Sequence, residues 1–116
     1  MDSILNSIKK LLGLPEDYSA FDQDVIMSIN SVFMVLSQIG VGPENPFVIT
    51  GENETWDQFL ENINQLEAVK MYVFMKVKLA FDPPASSTAL ESYKNQIAEL
   101  EWRLNSAVDF GGKKNE

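Results

Sequence analysis

Apolar residues along this chain fall into blocks separated by Gly, Pro and acidic segments, and the densest block organises the rest. Residues 66 to 81 comprise sixteen positions, twelve of them apolar, with neither Gly nor Pro among them. At about 100° per residue these positions do not stay on one stripe. Val69, Tyr72, Val73, Val77 and Ala80 make one face, and Met71, Phe74 and Phe81 make most of another. A helix that is apolar on nearly all sides is a buried helix, so 65–81 is predicted to be the central element. It must end abruptly, because Pro83 pushes Asp82 out of the helical region and Pro84 stiffens the turn beyond it.

The other blocks read as helices laid around it. Ile4, Leu5, Ile8, Leu11 and Leu12 mark a first short helix with Asp2 or Ser3 as cap and Lys9 and Lys10 in its last turn, where cations favour the negative end of the dipole. Gly13-Leu14-Pro15 is its stop. After an acidic linker anchored by Tyr18 and Phe21, Asp22 is expected to cap a second helix over 23–39, closed by Gly40. Its core face is Val25, Ile29, Val32, Leu36 and Ile39, widened by Ile26 and Phe33. Thr55 and Gln58 fit a capping box for a short helix containing Trp56, Phe59 and Leu60, and Thr88 with Glu91 fits another for the last helix. In that last helix Leu90, Tyr93, Ile97, Leu100, Leu104 and Ala107 form a narrow seam for one partner helix. Glu99 and Arg103 make an i,i+4 pair in the favourable order.

Between the second and third helices lies a Gly/Pro/Asn-rich excursion, 40–54, with room for a short strand at 47–50. Loops this long in compact domains are usually functional or mobile, and this one is expected to be mobile in the free protein and ordered on assembly. The predicted fold is therefore all-α: four main helices packed around a central helix at about 65–81, with one long loop. A chain of 116 residues forms one domain, 1–110, followed by a flexible tail, 111–116.

Composition removes several kinds of chemistry. There is no Cys and no His, which excludes a disulfide scaffold, thiolate chemistry and the commonest general base and transition-metal ligand. The first apolar segment is short and broken by lysines, unlike a signal peptide. The longest uncharged stretch, nineteen residues from Val25 to Pro43, holds too many Ser, Asn and Gln residues to span a membrane. The net charge of −8 is unevenly spread: no Lys or Arg stands between Lys10 and Lys70, while ten acids do. Such a surface repels phosphate and disfavours tight or sequence-reading nucleic-acid binding.

No nucleotide-binding glycine motif and no metal-ligand spacing is present, so no catalytic, cofactor-binding or metal residue is assigned and the chain is read as a non-enzyme. Glu52, Glu54 and Asp57 cluster near the loop and fit a solvated acidic segment better than a hard-cation site, since EF-hand spacing is missing. Lys76 projects at the middle of the central helix's apolar face. It fits a lysine that snorkels outward or pairs with Asp22 or Asp24 better than a catalytic amine, because no second catalytic group accompanies it.

The candidate interaction residues are of two kinds. On the back of the second helix Met27, Asn30, Ser31, Met34 and Gln38 share a side on which nothing is charged. That side is either sandwiched inside the domain or is an intersubunit surface. Phe47 and Ile49 are too apolar for a spacer. Trp102 lies off the last helix's seam, and is either an interface anchor or is covered by a segment such as 40–54.

The run AVKMYVFMKVKLAFDPP, followed by SST and a helix containing EWRLN, resembles the head–tail connector (adaptor) family of tailed bacteriophages and prophages. The opening ILNSIKKLLGLPEDYSAFDQDVIMSINSVFMVLSQIGVG is similar to the family's first two helices. The resemblance implies a virion structural protein of the phage neck, made in the bacterial host cytoplasm. Copies would form a ring, dodecameric in the family, between the portal protein and a stopper or tail-completion protein. That ring extends the DNA channel, through which genomic DNA passes without specific binding, with no membrane and no cofactor involved. A second reading, from the charge alone, is an acidic helical DNA mimic that inhibits a nucleic-acid-binding protein. It requires acids in phosphate-like rows on one convex face, whereas here they lie mostly in linkers and loops.

Overall fold

The computed structural model of the protein describes residues 3–43, 45, 47–60 and 63–111. Of the expected tail 111–116, Gly111 is instead the last residue of the final helix, and 112–116 lie outside the described residues, as does the possible cap Asp2. The elements are α1 (Ile4–Leu11), α2 (Asp22–Gln38), α3 (Trp56–Phe59), α4 (Ile63–Phe81) and α5 (Ser87–Gly111). The architecture is all-α, with α4 at the centre: α2 and α5 each pack against α4 and hardly against each other, and α1 rests on α2. No helix among the described residues is long and apolar enough to cross a membrane.

The helix ends follow local chemistry, with two corrections. Ser3 caps α1, its Oγ accepting from the Asn6 N–H at 3.2 Å. α1 closes with Leu14 N–H on the Lys9 carbonyl at 2.8 Å and Gly13 N–H on that of Lys10 at 3.1 Å. α2 closes in the same way, with Val41 N–H on the Leu36 carbonyl at 2.8 Å and Gly40 N–H on that of Ser37 at 3.1 Å. Gly40 takes φ +89° there, a conformation side chains with a Cβ resist. Asp22, expected as the cap of α2, is instead its first residue, and Phe21 stands at the cap without a side-chain bond. The Asp22 carboxylate is held elsewhere, by Lys9. At α5 the cap is Ser86 rather than Thr88, since Ser86 Oγ accepts from the Ala89 N–H at 3.0 Å. Either hydroxyl suits the sequence pattern, and the two-proline turn brings the chain into the helix one residue before Thr88.

Burial along α4 is less complete than its composition suggests. Leu66, Val69, Tyr72, Val73, Met75 and Val77 are buried, but Met71 is exposed and Phe74 and Phe81 are half-buried. The face bearing Met71 is therefore not covered. Phe81 finds Phe21 instead, edge-on with centroids 5.3 Å apart, and Phe21 in turn meets Tyr18 at 5.8 Å. These two rings anchor the acidic linker as expected. On α5, Ile97 and Leu104 are buried and Leu90, Tyr93 and Leu100 half-buried, so the seam faces α4.

The 40–54 excursion is not a free-standing loop. Phe33 of α2 stacks on Phe59 with centroids 4.5 Å apart, and Phe47 meets both rings edge-on at 5.5 Å. Asn30 then clamps the backbone: its Nδ2 donates to the Ile49 carbonyl at 3.0 Å and its Oδ1 accepts from the Ile49 N–H at 2.7 Å. One side chain thus performs what a neighbouring strand would do for that residue, and Ile49 is carried into the core. No strand forms among the described residues. The one sheet-like pairing is an isolated antiparallel bridge between Ser3 and Thr55, beside which Ile4 N–H donates to the Glu54 carbonyl at 3.0 Å. The segment is thus docked on α2 by three rings and an amide.

That docking requires a glycine. Gly42 has φ +96°, and a Cβ there would sit 2.6 Å from Phe59 Cε1. Gly42→Ala is expected to destabilise the fold by about 1–3 kcal/mol, combining backbone strain with overpacking of the ring. Urea denaturation measures this, and an unchanged midpoint would mean the segment crosses Phe59 with space to spare.

α3 pins the excursion to the body. Thr55 and Gln58 form the expected capping box: Thr55 N–H donates to Gln58 Oε1 at 3.0 Å, and the Thr55 hydroxyl also donates to Asp57 Oδ1 at 2.6 Å. Trp56 is fully buried against Phe33, and its indole N–H donates to Ser7 Oγ at 2.8 Å, tying α3 to α1.

Candidate functional site

Charged groups come first, because they decide whether a reactive centre exists. Among the described residues the buried lysine is Lys9, and Lys76 is half-buried. Lys9 is 1% exposed; its Nζ lies 2.8 Å from Asp22 Oδ1 and donates to the Glu16 carbonyl at 3.0 Å. Asp22 Oδ1 takes no well-angled hydrogen bond, so the ammonium charge itself is its partner. Sequence reasoning offered Asp22 to Lys76. The stem of Lys9 is drawn in because positions 4, 5 and 8 already bury that side of α1 against α2. A cation so enclosed needs a carboxylate and a carbonyl to replace its water.

Lys76 is half-buried, with Nζ 5.9 Å from the Tyr72 ring centroid, and no carboxylate pairs with it among the described residues. Lys70 lies similarly over Trp56 at 5.8 Å. The Tyr72 hydroxyl donates to Glu101 Oε2 at 2.7 Å, linking α4 to α5. Burial, and then the hydrogen bond and charge of Glu101, hold the Tyr72 phenol well above the usual tyrosine range. An unfolded tyrosine loses its proton near pH ~10. The stabilisation from the neutral phenol is therefore complete below that pH and declines as pH rises above it. The thermal midpoint should fall on going from about pH 9 to about pH 11, and Tyr72→Phe should flatten that fall. An equally steep fall in the variant would assign the effect to other groups.

The acids near the loop are engaged within the chain. Glu54 accepts from the Thr50 N–H and hydroxyl at 3.1 and 2.9 Å and from the Gly51 N–H at 3.4 Å. Burial works to raise its pKa, but these donors outweigh it and the net shift is downward. Asp57 is lowered chiefly by the Thr55 hydroxyl. Asn6 Nδ2 bridges Glu16 and Glu52 at 2.8 and 3.2 Å. Among the described residues no three metal-ligating side chains converge.

What the fold does present outward is apolar. Met27 and Met34 are 70% and 58% exposed on α2, and Val48 is 56% exposed beside them. With Ser31 and the flanks of Asn30 and Phe47 they line a shallow groove between α2 and the docked segment. A second groove, between α2 and α4, shares Met27 and Ser31 and is walled by Ser28, Val32, Leu79, Ala80 and Lys76. Of the candidate interaction residues, Met27, Ser31 and Met34 thus come together outside. Gln38 is exposed nearby but does not line either groove. Asn30, Phe47 and Ile49 turn inward, and the clamp they form builds the groove wall. Trp102 is 70% exposed on α5, and the 40–54 segment that was one option for covering it packs on α2 instead. Val48 was not singled out from the sequence. Alternation was its signal: Phe47 and Ile49 point in, so Val48 between them points out.

The fold and this surface define a small acidic helical module with an exposed uncharged face. The model of the phage connector protein family matches residues 4–110, nearly the whole chain, and the protein belongs to that family. Neither the curated proteins nor the solved structures contain a match.

Proposed function

We propose that this phage connector protein acts as a ring-forming component of the virion neck. In this reading it seats beneath the portal protein, extends the DNA channel and offers a docking surface to a stopper or tail-completion protein. The family match over residues 4–110 carries the reading, and the exposed Met27–Met34 face of α2 supports it. A monomer gains nothing by leaving such side chains in water, whereas a subunit of an assembly buries them. The negative charge fits a channel along which DNA slides without sticking. A DNA mimic is less well supported, because many acids already serve the chain itself: Asp22 with Lys9, Glu54 with Thr50, Glu101 with Tyr72, Asp82 with Lys78 and Glu99 with Arg103.

Light scattering of the purified chain, alone and with purified portal rings, tests the proposal. The expected result is a mass gain on the portal corresponding to many copies. A chain that stays monomeric and unbound under both conditions would overturn it.

A further inference from the structure

The Met27–Ser31 ridge of α2 has a groove on each side, and Lys76 is the one charged residue lining either of them. Lys76 is half-buried among apolar atoms and has no carboxylate partner among the described residues, in a chain that carries seventeen acids to nine bases. A second face has the reverse character. At about 100° per residue, Glu91, Asn95, Ala98, Trp102 and Asn105 fall on one stripe of α5, and all are exposed. Between Glu91 and Asn105 that stripe has one large apolar side chain, Trp102, and one charge, Glu91, which pairs with no cation among the described residues. Because α2 and α5 flank α4 without packing on each other, the two faces are available separately.

We propose that the α5 stripe of one copy seats on the α2 face of a second copy, with the Trp102 indole in the Met27–Met34–Val48 groove and Glu91 beside Lys76. Charge complementarity selects a second copy as the occupant. Two strongly acidic chains repel over most of their surface, and this pairing brings an unmatched cation to an unmatched acid while burying the exposed indole. Glu91 lies eleven positions from Trp102, about 16 Å along the helix, against about 10–12 Å for the width of a helix with its side chains. An α5 laid across the α2 ridge therefore reaches from one groove to the other. The contact joins two different patches, so repetition propagates from copy to copy and closes as a ring when the rotation allows. It rests on the ring reading above and specifies its interface.

The absence of cysteine makes the test clean. Ser31→Cys and Ala98→Cys each replace a small exposed residue beside the contact and are expected to leave the circular dichroism spectrum unchanged. With a short bismaleimide, the mixture of the two variants should give a covalent dimer while each alone stays monomeric. Adding Trp102→Ala to the Ala98→Cys chain should abolish the dimer. Lys76→Glu and Glu91→Lys should each lower its yield several-fold, and pairing the two reversed partners should restore it. A dimer from either variant alone means a symmetric contact and overturns the proposal. If the mixture gives no dimer although the unmodified chain gains mass by light scattering, the interface lies elsewhere and the ring reading survives. If it gives none and the unmodified chain gains no mass with or without portal, both fail.

Discussion

Trp56→Ala is expected to lower the unfolding free energy by about 3–5 kcal/mol, the largest stability loss from a single side chain here. Trp56 is fully buried, crosses Phe33 edge-on at 6.3 Å and lies beneath Lys70. Truncation removes a large apolar area and leaves a cavity where α1, α2, α3 and α4 meet. It also removes the indole donor from Ser7 Oγ, releasing α1 from α3. A domain of this size holds about 5–15 kcal/mol in total, so the variant approaches the limit of folding. Trp56→Phe keeps most of the volume and should lose clearly less. Urea denaturation followed by far-ultraviolet circular dichroism measures both. A loss below about 1 kcal/mol for Trp56→Ala would show that α3 is an accessory turn rather than a pin.

Met34→Lys should do the opposite, leaving the monomer intact and abolishing assembly. Met34 is 58% exposed, so the long aliphatic stem of a lysine fits without disturbing Phe33 or Leu36, and the melting temperature should scarcely change. In the proposed ring the new ammonium would be buried in an uncharged groove with no carboxylate close by, costing several kcal/mol at every repeat. Light scattering with portal reads the result. Normal assembly of this variant would remove the α2 groove from the interface, and unfolding of the isolated chain would assign Met34 to the core instead.

Loss of assembly without loss of fold is possible because fold and surface are specified by different residues of the same helix. On α2 the positions at Val25, Ile29, Val32 and Leu36 announce a core-facing stripe by spacing alone. The nineteen uncharged residues around them signal that the back of the helix has some further use. Spacing does not say which back-side residues stay outside. Asn30 and Met34 stand on the same side and look alike in the pattern, yet Asn30 is consumed by Ile49 and Met34 is left free. Only the arrival of a segment nineteen positions away separates them.

The chain's local chemistry determined its helices by itself: apolar period, glycine stops, the Pro83–Pro84 break and the centrality of 65–81 are all short-range properties written within a few turns. The choice of partners was decided by tertiary structure. Asp22 is an equally good cap for α2 and counter-ion for a lysine, and which role it takes depends on α1 bringing Lys9 within 2.8 Å. The excursion's Phe47 and Ile49 look free until the rings of Phe33 and Phe59 and the amide of Asn30 hold them. Each case sets nearly equal local options against each other. Long-range packing, which removes tens of Å² of apolar surface from water at about 25 cal/mol per Å², outweighs the few tenths of a kcal/mol that separate them in sequence.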